Sequence, residues 1–196
     1  TKDMPFEDYL YLRGFALMIE SLANGRTFEE FFLYSKSLGV GRTEFLKRIY
    51  DNIKNAPNTI QRNLENFLEE TKGELWQSEE ELVDYYRQEQ NYSLLKAGKV
   101  GGNLIYKYKA LNIVFSSSDW INFINEQLKI LCEEKIKDKE LLEQAEIEIK
   151  EIVNFCKYKL AGLFDIDADL SPISEKFNFD ILSWLDSDHE KPLSDY

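Results

Sequence analysis

The sequence is poor in the residues that build metal and catalytic sites, because it has one histidine and two cysteines in 196 residues. His189 lies in an acidic C-terminal stretch, and Cys132 and Cys156 fall inside predicted helices. Two thiols without a neighbouring histidine do not complete a zinc site, and no serine or cysteine nucleophile can be paired with a base. We therefore expect buried, reduced thiols, no catalytic residue, and no metal or cofactor bound by this chain.

Long apolar runs and positive charge are also scarce. No stretch approaches the length of a transmembrane helix, and the N-terminus lacks the basic segment and apolar stretch of a signal peptide. The net charge of −12, from 24 basic and 36 acidic residues, repels phosphate backbones and anionic membrane surfaces. The composition argues against nucleic-acid and membrane partners and favours a cytoplasmic protein.

Aromatic residues, by contrast, are abundant, with 13 Phe, 11 Tyr and 3 Trp, so the chain can build a compact core. Apolar residues recur at helical spacing through most of the sequence. Thr27 with Glu30, and Ser78 with Glu81, have the spacing of capping boxes at helix starts. We predict a mostly α fold, an irregular bundle of about eight helices with a short extended C-terminal segment.

Two segments are harder to assign. Leu104–Phe115 is rich in Ile, Val and Tyr and fits a helix or a strand. We predict a helix because one helical face would carry Leu104, Tyr108, Leu111 and Phe115. Residues 165–196 contain nine acidic residues and two lysines, and alternating apolar residues from Phe177 onward predict a short strand or extended segment.

The sequence thus predicts a helical domain over residues 1–162 and an acidic C-terminal extension over residues 163–196, packed on that domain and with a mobile end. Asp165, Asp167 and Asp169 in the extension have the spacing of the first ligands of a calcium loop. The required glycine and glutamate are replaced by Leu170 and Lys176, so we expect no calcium site.

A candidate contact site lies in residues 90–118, which contain four lysines and no acidic residue. Three glycines open the backbone there, and Asn103 precedes a predicted helix start. Backbone amides at a helix start beside lysines can hold an anion, so Lys96, Lys99, Asn103 and Lys107 are candidate contacts to an anion or a partner. The alternative is a plain turn whose lysines pair with acidic helices elsewhere.

Four tyrosines lie in or near this segment: Tyr85, Tyr86, Tyr106 and Tyr108. A platform that stacks single-stranded nucleic acid combines such rings with a basic groove, whereas this chain is acidic. We therefore predict that these tyrosines belong to the core or its rim.

Several segments together resemble one known family. They are the opening TKDMPFEDY with the aromatic helix that follows, ELW (Glu74–Trp76), GGNLIYKYKA (Gly101–Ala110) and FNFDILSWL (Phe177–Leu185). They resemble the region downstream of the catalytic core in cobalamin-binding-type radical SAM proteins, often labelled Fe–S oxidoreductases. In that family a C-x-x-x-C-x-x-C motif binds the cluster and S-adenosylmethionine. This chain has neither that motif nor a third cysteine.

The resemblance implies a catalytically silent C-terminal accessory domain that recruits substrate, closes the site or mediates assembly. The iron–sulfur cluster, S-adenosylmethionine and, in members that bind it, cobalamin would belong to an upstream part of the polypeptide. The upstream domains would be the partner of this chain. We expect a start at Thr1 from the downstream part of a longer polypeptide, although removal of an initiator methionine would also expose a threonine.

The residues themselves leave two other functions open. One is a free-standing acidic helical interaction protein that contacts a basic partner. The other is a stand-alone enzyme that uses the Lys96–Lys109 region for an anionic substrate. The sequence specifies neither a substrate nor an oligomeric state.

Overall fold

The computed structural model describes residues 4–162, 174–187 and 191–196. These residues contain ten α-helices and no strand, so the predicted mostly α multi-helix fold is confirmed, with more helices than expected. The helices are α1 (Phe6–Met18), α2 (Glu29–Ser37), α3 (Arg42–Asp51), α4 (Asn58–Gly73), α5 (Glu79–Arg87), α6 (Glu89–Lys96), α7 (Leu104–Ala110), α8 (Ser117–Lys135), α9 (Lys139–Leu160) and α10 (Ile181–Leu185).

Aromatic and branched side chains from most of the helices meet in the core. Fully buried residues include Leu17 of α1, Phe31 of α2, Phe45 of α3, Phe67 of α4 and Trp120 of α8. Removing each such side chain from water contributes about 1.5–3 kcal/mol, so the aromatic composition accounts for much of the stability of the bundle. The long antiparallel pair α8 and α9 supports one side of this core.

Two helices continue into π-helical turns that contact each other. The turn Ile19–Ala23 extends α1, and the turn Leu111–Phe115 extends α7. Asn112 Nδ2 donates to Ser21 Oγ at 3.1 Å, and Asn63 Nδ2 donates to Asn112 Oδ1 at 3.0 Å. Because Ser21 and Asn112 are buried, these bonds satisfy polar groups that would otherwise lack water, and they fix α7 against α1 and α4.

Two sequence predictions about helices have different outcomes. Leu104–Phe115 is helical, as predicted. The capping box of Thr27 and Glu30 is wrong, because α2 begins at Glu29 without a side-chain cap. Glu30 is instead fully buried and accepts a hydrogen bond from Lys159 Nζ at 2.7 Å, since a buried carboxylate needs a charged partner.

The described C-terminal residues pack on α9 through two buried carboxylates. Glu148 accepts from the Ser194 backbone N–H at 2.9 Å, and Glu151 accepts from the Asn178 backbone N–H at 2.9 Å. Leu193 is fully buried beside them. These carboxylates hold backbone groups of the extension against the helical body.

The prediction of a short strand or extended segment is wrong from Ile181 onward, where α10 begins. Asp180 caps that helix by accepting from the Ser183 backbone N–H at 3.0 Å, which turns the chain into a helix after a non-helical stretch. Asp165, Asp167 and Asp169, where we expect no calcium site, lie outside the described residues, as does His189.

Candidate functional site

Helices α5 and α6, joined by Gln88 alone, form a two-helix unit outside the core, which we call the hairpin. The two helices contact each other, and the structure buries no residue of either one. Ser78 Oγ accepts from the Glu81 backbone N–H at 3.2 Å, so the predicted cap of α5 is confirmed. The return bond of the capping box differs, because Glu81 Oε2 accepts from the backbone N–H of Gln77 and not from that of Ser78. Local capping and the pairing of two short helices therefore shape a unit with little buried surface of its own.

An open cleft of about 1180 Å³ lies between this hairpin and the helical body. On the body side, its lining comes from the last turns of α4 and the first turns of α7. On the hairpin side, its lining comes from α5 and the segment before it. The apolar side chains in the lining are Trp76, Leu82, Tyr85, Tyr86, Val100 and Leu104.

Three aromatic rings form a cluster on the hairpin wall. The ring centroids of Trp76 and Tyr85 lie 4.9 Å apart, those of Tyr85 and Tyr86 5.2 Å, and those of Trp76 and Tyr86 6.3 Å. Leu82, Tyr85 and Tyr86 are three and four residues apart and share one face of α5. This face has the spacing of a core-facing stripe, but it lines a cleft that is open to solvent.

The prediction that the tyrosines belong to the core or its rim is correct for Tyr108, which is buried. It is wrong for Tyr106 and Tyr85, which are 63% and 40% exposed. Tyr108 packs edge-on against Phe67, with ring centroids 5.6 Å apart. Tyr85 lacks such a partner in the core because the hairpin stands apart from it.

A glycine-rich turn closes one end of the cleft. Gly98 and Gly101 have φ angles of 66° and 76°, a left-handed conformation that glycine adopts without steric strain. Asn103 then caps α7, since its side chain accepts from the Tyr106 backbone N–H at 3.3 Å. The predicted helix start at Asn103 is therefore confirmed, and its side-chain oxygen is engaged in that cap.

The body wall carries a charged cluster around Glu70. Lys107 Nζ donates to both carboxylate oxygens at 2.7 Å, and Tyr108 Oη donates to one of them at 2.6 Å. The hydrogen bond from Lys107, and then that from Tyr108, lower the pKa of Glu70. Burial, and then the hydrogen bond to Glu70, raise the pKa of Tyr108. The phenol therefore stays protonated and donates the hydrogen bond. This cluster ties α4 to α7.

The structure brings three of the four predicted contact residues together. Lys99, Asn103 and Lys107 line the cleft, whereas Lys96 is exposed and outside the lining. Lys107 pairs with Glu70 and Lys109 with Glu20, as the alternative of lysines pairing with acidic helices predicts. Lys96 and Lys99 form no ion pair with any residue in the described part of the chain, and their contact to an anion or partner stays a prediction.

The two thiols are shielded from reaction. Burial raises the pKa of Cys132 to about 12, helped by the nearby Glu148 carboxylate, and burial also raises the pKa of Cys156. Both cysteines are free. Among the described residues there is no group of three or more His, Cys, Asp or Glu side chains that could hold a metal ion. No helix in that part of the chain has the length and apolar character needed to cross a membrane.

Comparison of the chain with protein-family models, with curated proteins and with solved structures gave no match. Sequence reasoning identified the lysine and glycine side of the cleft but missed Trp76 and Leu82. The available signal was an apolar face in α5 next to a glycine-rich turn, and its spacing alone does not distinguish a core face from a cleft face.

Proposed function

We propose that this chain is a non-catalytic binding module that holds a polypeptide segment in the cleft between the hairpin and the helical body. The observation that carries the proposal is the apolar face of α5, formed by Leu82, Tyr85 and Tyr86, which lines an open cleft and packs against no core. An exposed apolar face rimmed by polar residues is typical of an interaction site.

The chemistry of the cleft suits recruitment. Tyrosine and tryptophan offer large apolar area with few rotatable bonds, so a partner that covers them loses little side-chain entropy in doing so. Aromatic residues at the centre of a contact carry much of the binding energy in protein interfaces. The hairpin contributes this surface without disturbing the core, because none of its residues is buried there.

The context of such a module is also part of the proposal. The resemblance to the C-terminal region of radical SAM proteins supports an accessory role in a larger enzyme, in which upstream domains would hold the cluster, S-adenosylmethionine and, where used, cobalamin. A cytoplasmic location belongs to the same proposal, supported by two free buried thiols. The reading frame upstream of Thr1 tests this context: C-x-x-x-C-x-x-C there agrees with it, and a start codon directly before Thr1 contradicts it.

Selection from a random-peptide library tests the binding function itself. The library is displayed on phage and selected on the immobilised full chain, and recovered peptides are measured against wild type, Tyr85→Ala and Tyr92→Ala. Tyr92 is the matched control because it is an exposed hairpin tyrosine outside the cleft lining.

We expect the selected peptides to bind wild type and Tyr92→Ala equally. Tyr85→Ala should weaken binding at least about tenfold, the effect of losing a central aromatic contact. A selection that enriches no peptide, or peptides that bind the two variants equally, would contradict the proposal.

A further inference from the structure

We infer that the ligand of the cleft is a cationic amphipathic polypeptide segment. Its apolar side chains would contact the rings on α5, and its lysine or arginine side chains would meet the carboxylates around them. The inference rests on the proposed function, because it names the class of ligand for the same cleft. The charge around the aromatic cluster carries it.

Carboxylates are frequent in the hairpin and in the segment before it. Residues 74–96 contain six acidic and two basic residues, which gives a net charge of −4. Of the two basic residues, Arg87 donates to Asp84 Oδ1 at 2.7 Å, and Lys96 is exposed without an ion pair to any described residue. Glu79 and Glu80 are exposed at the start of α5 and pair with no cation that the structure describes. Such a rim attracts a cationic ligand and speeds its association.

The opposite wall does not reverse this charge. Lys107 is engaged by Glu70, so the pair adds no net charge to the lining. Two other charged residues of the lining, Lys99 and Glu74, form no ion pair with any described residue. The lining itself is therefore neutral overall, and the net negative charge on this side of the molecule comes from hairpin carboxylates outside the lining.

The rings favour the same class of ligand. The faces of Trp76, Tyr85 and Tyr86 carry negative electrostatic potential and attract ammonium and guanidinium groups, while their area favours apolar side chains. An amphipathic helix laid in a groove presents both kinds of group at regular spacing. A second copy of this chain fits less well, because it would bring two acidic rims together.

Two labelled synthetic peptides of equal length test the ligand class by fluorescence anisotropy with the full chain. Both place leucine at helical spacing, and one carries lysine and the other glutamate at the remaining positions. We expect the leucine–lysine peptide to bind at least about tenfold more tightly, with an affinity that falls as salt rises. A lysine–serine peptide should bind more weakly, since it lacks apolar side chains for the rings.

Charge variants locate the effect on the hairpin. The double variant Glu79→Gln and Glu80→Gln should weaken binding of the leucine–lysine peptide about two- to fivefold. The pair Glu126→Gln and Glu146→Gln removes the same charge from exposed positions on α8 and α9 and should leave binding unchanged. Lys99→Ala should tighten binding of the leucine–lysine peptide, because it removes a positive charge from the lining. If Lys99 instead contacts anionic ligands, Lys99→Ala should weaken binding of the leucine–glutamate peptide.

Several results would overturn the ligand class: tighter binding of the leucine–glutamate peptide, equal effects of the two double variants, or weaker cationic binding after Lys99→Ala. If the ligand class is wrong but Tyr85→Ala weakens binding of whichever peptide binds, relative to Tyr92→Ala, the proposed binding function still holds. If Tyr85→Ala has no effect, the binding function fails as well. Self-association that Tyr85→Ala abolishes would assign the cleft to a second copy and also overturn the inference.

Discussion

Gly14 lies inside α1 against the hydroxyl end of the Tyr50 side chain. A Cβ added at this position would overlap the Tyr50 hydroxyl and come within 3.0 Å of Cζ. That hydroxyl donates to the Tyr11 backbone carbonyl at 3.1 Å, and Tyr50 is buried, so the ring has little room to move. Glycine is needed at this point because two elements approach closely.

We predict that Gly14→Ala lowers the free energy of unfolding by about 1–3 kcal/mol through overpacking. Gly73→Ala is the matched control, because Gly73 is also helical and has nothing within 4 Å of the added Cβ. The control should be neutral or stabilising, as alanine favours helix. Urea unfolding measures both, and equal effects of the two substitutions would refute the close approach.

Glu70 adds a pH-dependent contribution to stability. Its pKa in the folded protein lies below the ordinary 4.5, so the contribution is full above that value and is lost as pH falls through the folded pKa. Because the Glu70 and Lys107 side chains are 42% and 51% exposed, water screens the pair and the contribution is about 0.5 kcal/mol.

We predict that Glu70→Gln reduces the free energy of unfolding by this amount at neutral pH and that the difference from wild type shrinks in acid. Urea unfolding of both proteins, from neutral pH down to a pH below the Glu70 pKa, measures this difference. Glu126→Gln, at an exposed position without a salt bridge in the described structure, should show no such change. A difference that stays constant with pH would argue against the Glu70 pair.

Among the elements, the C-terminal extension is held to α9 by burial as well as by the Glu148 and Glu151 carboxylates. Leu193 is fully buried, whereas Leu182 in the same extension is 65% exposed to solvent. We predict that Leu193→Ala costs about 2–5 kcal/mol and Leu182→Ala less than about 0.5 kcal/mol. Thermal and urea unfolding compare the two, and similar costs would show that the extension is not docked.

The hairpin should be the least protected helical unit. Because no residue of α5 or α6 is buried, few contacts resist its opening. We predict that amides of α5 and α6 exchange by local opening, much faster than amides of α8 and α9, in hydrogen exchange followed by mass spectrometry. Exchange of the hairpin at the same rate as α8 and α9 would show that it belongs to the core.

Much of the helix content could be predicted because the signals are local. Ser78 and Asn103 cap the helices that follow them, and both caps are present. The start of α2 could not be predicted from Thr27, because the partner of Glu30 is Lys159, 129 residues away. A pair of residues so far apart in the sequence cannot be predicted from local residue spacing.

The candidate site was predictable in part. Lys99, Asn103 and Lys107 were identified from a lysine-rich segment beside glycines, and they line one cleft. The aromatic cluster of Trp76, Tyr85 and Tyr86 was not identified as part of a site, because an apolar stripe with helical spacing has the same pattern whether it faces a core or a cleft. Only the position of the hairpin relative to α4 and α7 distinguishes the two.

At the scale of the whole molecule, an aromatic core and an acidic surface coexist with one exposed aromatic hairpin. The net charge of −12 gives copies of the chain a mutual repulsion, and the ligand proposed for the α5 face carries the opposite charge. A stable body and a separate, weakly anchored recognition unit together form the proposed binding module.

The central claim is that the apolar face of α5 receives a ligand in the cleft. Amide chemical-shift mapping of the isotope-labelled full chain, titrated with the tightest peptide from the selection, tests it most directly. We predict shifts concentrated at Trp76, along residues 82–86 and at residues 98–104, with α8 and α9 unchanged. Shifts concentrated on α8 and α9, with the hairpin unchanged, would contradict it.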